Sequence, residues 1–172
     1  MGTKSSPEQP PGPSVPDSAW RTLSGDVIDD VIGTVTSHLS DDEQVIHVGT
    51  DSRTRGRYTD FVTVIVVLDP GHGGRVYYRR ERTKRNNSLP RRLLREAELS
   101  IAIASTLSEV MAHDIIVHVD ANEDERHRSS DYVQMLAGMV VGHGFMVRLK
   151  PQSWCATHVA DHVVKEKHQR AA

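Results

Sequence analysis

From Gln44 the chain alternates, with Val45, His47, Gly49 and Asp51 on one side of an extended segment and Ile46, Val48 and Thr50 on the other. That two-residue period predicts a strand ending at Asp51. The run Asp60 to Leu68 is dense in β-branched residues and predicts a second strand. The turn cluster Asp69-Pro70-Gly71-His72-Gly73-Gly74 then leads into a third, Arg75 to Arg82. Short connections between the three suggest an antiparallel meander. At Pro90 the period lengthens: Leu93, Leu94, Leu99, Ile101, Ile103, Leu107 and Met111 give a long helix apolar surface through about His113. The continuous Ile-Ile-Val-His-Val of Asp114 to Asp120 suits a strand buried on both faces. A helix over about 130–141, the Gly142-His143-Gly144 stop, a strand over 145–149 and a helix over about 153–165 follow. Upstream, Val27, Val31, Val35 and Leu39 recur at helical spacing, predicting an N-terminal helix over about 24–39 capped by Ser24 or Asp26.

Three antiparallel strands followed by two β-α units form an α/β fold. Right-handed crossovers place strands four and five beside strand one, giving a five-stranded mixed sheet of order 3-2-1-4-5 with helices on both faces. Strands one and four are then parallel neighbours, and Asp51 and Asp120 fall side by side at their carboxyl ends, where open α/β sheets bind ligands. Either Asp alone reads more readily as the start of a loop. As a pair, they repel unless something positive lies between them, and a divalent cation with oxygen ligands fills that role. Glu96 lies on the apolar stripe of the long helix, where a solvated Glu is out of place, and Glu98 is the alternative if the helix phase shifts. Asp161 stands mid-helix in a small, apolar run, with His158 one turn earlier on the same face.

Composition narrows the classes. The chain of 172 residues, 37% hydrophobic, has room for one substantial domain, expected over 18–166. Residues 1–17, rich in Pro, Ser, Gly and Gln, read as a disordered tail, and 167–172 as a flexible C-terminus. No apolar run approaches the ~20 residues of a membrane span, and the N-terminus lacks a secretory signal pattern, so a cytoplasmic location without membrane attachment is expected. The single cysteine, Cys155, agrees with a reducing compartment. A net charge of −2 gives no global attraction to polyanions, yet eight Lys/Arg stand between Arg79 and Arg95 against Glu81 alone. Arg79, Arg80, Arg82, Lys84, Arg85, Arg91 and Arg92 are therefore candidate contacts to a nucleic-acid backbone, or else solvated surface.

Several motifs fail on inspection. Asp120-Ala-Asn122-Glu-Asp124 starts like a calcium loop but has Glu125 where the sharp turn needs Gly. Gly71-His72-Gly73-Gly74 lies between two strands, which favours a hairpin over a phosphate cradle. The ten histidines show no zinc spacing. His47 and His118 share strand faces with Asp51 and Asp120, as donors to the site or as satisfied core residues.

The phrases Val48-Gly49-Thr50-Asp51-Ser52, Arg95-Glu96-Ala97-Glu98-Leu99-Ser100, His118-Val119-Asp120-Ala121-Asn122 and Lys150-Pro151-Gln152-Ser153-Trp154 resemble the YkuK family of ribonuclease H-like proteins. The resemblance covers about residues 24–166 and implies a ribonuclease H-like fold. It also implies a metal-dependent nuclease or phosphodiesterase acting on RNA or DNA, a hydrolase using two Mg²⁺ or Mn²⁺ ions. Asp51 would bridge both ions, Glu96 and Asp120 would hold one, and Asp161, with His158, the other. A catalytically silent nucleic-acid-binding module on the same fold is the alternative.

Overall fold

In the computed structural model, the described residues are 18–40, 43–124 and 126–155. The expected 1–17 tail, His158, Asp161, most of the helix over 153–165 and the segment 167–172 lie outside them. The elements are β1 (Trp20–Thr22), β2 (Val27–Ile28), α1 (Val31–Ser37), β3 (Val45–Arg55), β4 (Tyr58–Asp69), β5 (Gly73–Lys84), α2 (Leu89–Ser108), β6 (Ile115–Asn122), α3 (Val133–Gly142) and β7 (Met146–Lys150). One mixed sheet runs β2-β1-β5-β4-β3-β6-β7. The five anticipated strands keep their 3-2-1-4-5 order within it, but the sheet has seven strands, not five.

Of the two additional strands, β2 comes from the segment expected to be one helix over 24–39 and β1 from the residues just before it. Gly25, at φ 95, turns β1 into β2, and the Ser24 and Thr22 hydroxyls donate to the Asp26 carboxylate at 2.5 and 3.1 Å. Neither Ser24 nor Asp26 caps a helix. Asp30 does, accepting from the Gly33 N–H at 2.9 Å, so α1 is only seven residues long. The 3.6-residue spacing of Val27 to Leu39 thus joined an extended segment to a short helix. β1 pairs antiparallel with β5, Trp20 opposite Arg79, and buries Trp20.

Strands β3, β4 and β5 form the meander. The β3–β4 hairpin closes between Arg55 and Tyr58, and Gly56, at φ 55, supplies the left-handed residue such a two-residue loop needs. β4 is central and buried from Thr59 to Val67. Ile46, Val48, Ile65, Val67, Val117 and Val119 form one sheet face. Against it pack Leu93, Ala97, Ile101, Ala104 and Leu107 of α2, Leu136 and Val140 of α3, and Val31 and Val35 of α1. Each fully buried aliphatic side chain here contributes roughly 1.5–3 kcal/mol. All three described helices share this face. The opposite face carries Val62, Val64 and Val66 with Trp154 and Cys155 against them. Helices were expected on both faces; among the described residues none covers this one, and most of the expected helix over 153–165 lies outside them. No helix among the described residues is long and apolar enough to cross a membrane.

Candidate metal centre

The parallel pairing of β3 with β6 runs from Ile46 opposite Ile115 to Gly49 opposite His118 and then stops. Asp51 and Asp120 each lie two residues past that last pair, where the strands part and open a crevice. β3 does not end at Asp51, as its alternation suggested. It stays paired with β4 as far as Arg55, because only its β6 edge is released. On its other side β6 loses register with β7 between His118 and Asn122. Asp120 sits within that irregularity, a device that re-aims side chains beside binding sites.

Glu96 comes to the same place from α2. The helix starts at Leu89 with Pro90 in its first turn and turns Glu96 inward with Leu93, Ala97 and Ser100, all buried. Ser100 Oγ lies 2.9 Å from both Thr50 Oγ1 and the Glu96 carbonyl oxygen, and Thr50 Oγ1 donates to Thr63 Oγ1 at 3.1 Å. This hydroxyl ladder ties the Glu96 turn to β3 beside Asp51. Glu98, the alternative acid, faces outward, 3.6 Å from Arg95.

Burial pushes the Glu96 carboxyl up to about 8, and the neighbouring Asp51 and Asp120 charges add to the rise against the opposing pull of Ser52 and Arg92. Ser52 lies near enough to exert that pull but outside good hydrogen-bond geometry, its Oγ being buried and unsatisfied. Asp120 Oδ1 is also buried without a well-directed hydrogen bond. Its neighbour is the Lys150 ammonium, with which it forms an ion pair. Asp51, Ser52, Arg92, Glu96 and Asp120 line an open cleft of about 440 Å³, closed on one side by Arg126, His127, Arg128 and Ser129. The Ser129 hydroxyl accepts from the Asn122 N–H at 3.1 Å and holds this loop against the end of β6.

The acids gather around the cleft without caging an ion: among the described residues, no three His, Cys, Asp or Glu side chains are grouped closely enough to hold one. The donor chemistry nevertheless fits a hard divalent cation. Three carboxyls share one crevice, one is driven toward its protonated form by burial and then by the charges of the other two, and one presents a buried oxygen whose neighbour is the Lys150 ammonium. Asp161 and His158 lie outside the described residues.

His47 and His118 do not line the cleft. Both are buried against Trp154, on the sheet face away from α2. Burial brings His47 down to about 4, helped by Arg148. Burial, then His47 and Arg148, brings His118 down to about 3.

The basic segment divides by strand alternation. Arg79 pairs with Glu81 at 2.9 Å and stacks on Trp20. Arg80 and Arg82 converge on Asp60 from the other sheet face, at 2.5 and 2.6 Å. Arg85 donates to Asn87 and to the Gly56 carbonyl. Lys84 and Arg91 line a second open hollow with Phe61, Leu94 and Glu98. Of the seven candidate cations, Arg92 is the one that lines the acidic cleft. Sequence reasoning gave no role to Lys150 or to the Arg126–Ser129 loop. The signal that could have found that loop is the run Arg126-His127-Arg128 soon after Asp120, whereas nothing in the sequence around Lys150 marks it as chemical.

No curated protein matches the chain. Among solved structures it is similar to the N-terminal RNase H domain of a Mycobacterium tuberculosis protein, determined as a fusion with maltose-binding protein. The likeness is 16% identity and a TM-score of 0.40, over 74% of this chain and 99% of that one. The family model described as ribonuclease H-like matches residues 26–165. That match spans most of the sequence and agrees with the YkuK resemblance, so the chain belongs to the ribonuclease H-like family.

Proposed function

We propose that the protein is a divalent-metal-dependent nuclease or phosphodiesterase that hydrolyses RNA or DNA. The observation that carries this reading is the burial of Glu96 beside Asp51 and Asp120 in one cleft, at the point where β3 and β6 separate. Asp51, Glu96 and Asp120 would hold Mg²⁺ or Mn²⁺, with Asp161, aided by His158, completing a site for two ions. When bound, such ions supply positive charge at the phosphoryl group and lower the pKa of a water. The chain's own residues do the rest. Arg92 and Arg128 at the cleft wall hold substrate phosphates. The hydroxyl ladder Ser100-Thr50-Thr63 keeps Glu96 in place against β3. Outside the cleft, Lys84 and Arg91 extend the path for the nucleic-acid backbone, while Arg79, Arg80 and Arg82, held by carboxylates, contribute less.

One observation favours a second reading. Lys150 already sets a positive charge against Asp120, as a nucleic-acid-binding module without turnover would allow. Labelled single-stranded, duplex and hybrid substrates, incubated in Mg²⁺ or Mn²⁺ with wild type and Asp51→Asn, separate the two. Cleavage by wild type, reduced at least 100-fold in Asp51→Asn, supports the nuclease. Binding without cleavage by either protein supports the silent module.

A further inference from the structure

Lys150 ends β7 opposite Asn122, just beyond the stretch where β6 and β7 lose register. That irregularity brings its ammonium onto Asp120 Oδ1. The side chain is about one-third exposed and its carboxylate partner 18% exposed, so the pair is partly open to solvent and not part of the core. An ammonium and a divalent cation need the same thing from Asp120, an oxygen lone pair next to negative charge, and they cannot both hold Oδ1. With its side chain about one-third exposed, the ammonium is within reach of solvent, so the ion pair is screened and open to displacement. A lysine suits that role, with a compact charge on a flexible four-carbon stem that can swing clear into solvent.

We propose that Lys150 is a built-in competitor for the metal centre: its ammonium occupies Asp120 until a divalent cation displaces it, and so sets the cation concentration at which the site fills. The inference rests on the metal-dependent reading above and adds a regulatory residue to it. Observed cation affinity is the intrinsic affinity scaled by the fraction of molecules in which Asp120 is released. Deleting the ammonium makes that fraction one and also removes a repelling positive charge.

The test is calorimetric titration of Mn²⁺ into wild type, Lys150→Met and Lys150→Arg at neutral pH. Methionine keeps the stem and loses the charge, whereas arginine keeps both. The expected result is Mn²⁺ binding about tenfold tighter in Lys150→Met and within about twofold of wild type in Lys150→Arg. Equal dissociation constants for wild type and Lys150→Met would overturn the inference while leaving the metal-dependent reading in place. Absence of Mn²⁺ uptake by all three proteins would overturn both. Circular dichroism of each variant shows whether it is folded, and should Lys150→Met fail to fold, Lys150→Gln carries the same comparison.

Discussion

His47 Nδ1 and His118 Nε2 lie 2.9 Å apart, joining β3 to β6 just before the two strands separate at Asp51 and Asp120. The Trp154 N–H donates to His118 Nδ1 at 3.3 Å. The His118 proton therefore sits on Nε2 and is donated to His47 Nδ1. Each ring is neutral and each orders the next, so these histidines act as a clamp beneath the site and not as ligands within it.

The clamp predicts a pH window. Both rings have folded pKa values below their ordinary value, about 4 for His47 and about 3 for His118, so below about 6.5 the unfolded chain takes up protons that the native state refuses. Their contribution is complete above pH 6.5 and is lost as pH falls toward 4. Urea denaturation of Glu96→Gln, which removes an opposing titration, should give nearly constant stability between pH 8 and 6.5 and a loss of about 4 kcal/mol by pH 5, roughly 2 kcal/mol from each ring.

Glu96 predicts the reverse slope. Its folded pKa of about 8 stands above that of an unfolded Glu, so its stabilising effect is present below about pH 4.5 and lost as pH rises through 8. In chelator, wild type should lose stability relative to Glu96→Gln between pH 5 and 8, with the gap widening steadily. Saturating Mn²⁺ should abolish the wild-type slope, because a bound cation favours the carboxylate. Parallel curves for the two proteins in chelator would remove the three-carboxyl crowding from the account.

Asp60 anchors the second sheet face. Burial pushes its carboxyl up, but hydrogen bonds from Arg82 and Arg80, with their charges, outweigh that and hold it below the usual carboxylate range. Asp60→Ala leaves two neighbouring guanidinium groups without their acceptor, and a destabilisation of about 3 kcal/mol is expected in denaturant titration.

Arg92 predicts a binding effect distinct from folding. Arg92→Ala should weaken oligonucleotide affinity and lower the slope of log K against log salt by roughly one, with little change in thermal stability. Arg80→Ala should do the opposite, since Arg80 is bound to Asp60.

The central strands and α2 were legible because burial imposes regular periods on them: β4 is buried along most of its length, and α2 hides one stripe against the sheet. From those periods the β5-β4-β3-β6-β7 order followed, and with it the adjacency of Asp51 and Asp120. Glu96 was legible for the same reason, as a charge on an apolar stripe. The β1–β2 hairpin was not, because a two-residue strand such as β2 carries no period of its own, and its valine matched the helical spacing of α1. Pairing across the sheet, not local propensity, made Trp20–Thr22 a strand. The division of the basic segment was readable in principle, since alternation sends Arg79 and Arg80 to opposite faces. Glu81, two residues from Arg79 on the same face of β5, was readable in the same way, but Asp60, the partner of Arg80 and Arg82, was not, because cross-strand register depends on the hairpin length. Lys150 reaches Asp120 through an irregularity in β6 that no sequence period encodes.

The measurement that bears most directly on the centre is a crystal structure of protein soaked in Mn²⁺, with anomalous difference density calculated at the manganese edge. A peak bonded to carboxylate oxygens of Asp51 and Asp120, with Glu96 turned toward it and Lys150 moved off Asp120, is the predicted result. A fully ordered cleft with no anomalous peak, or manganese bound only elsewhere on the surface, would contradict it.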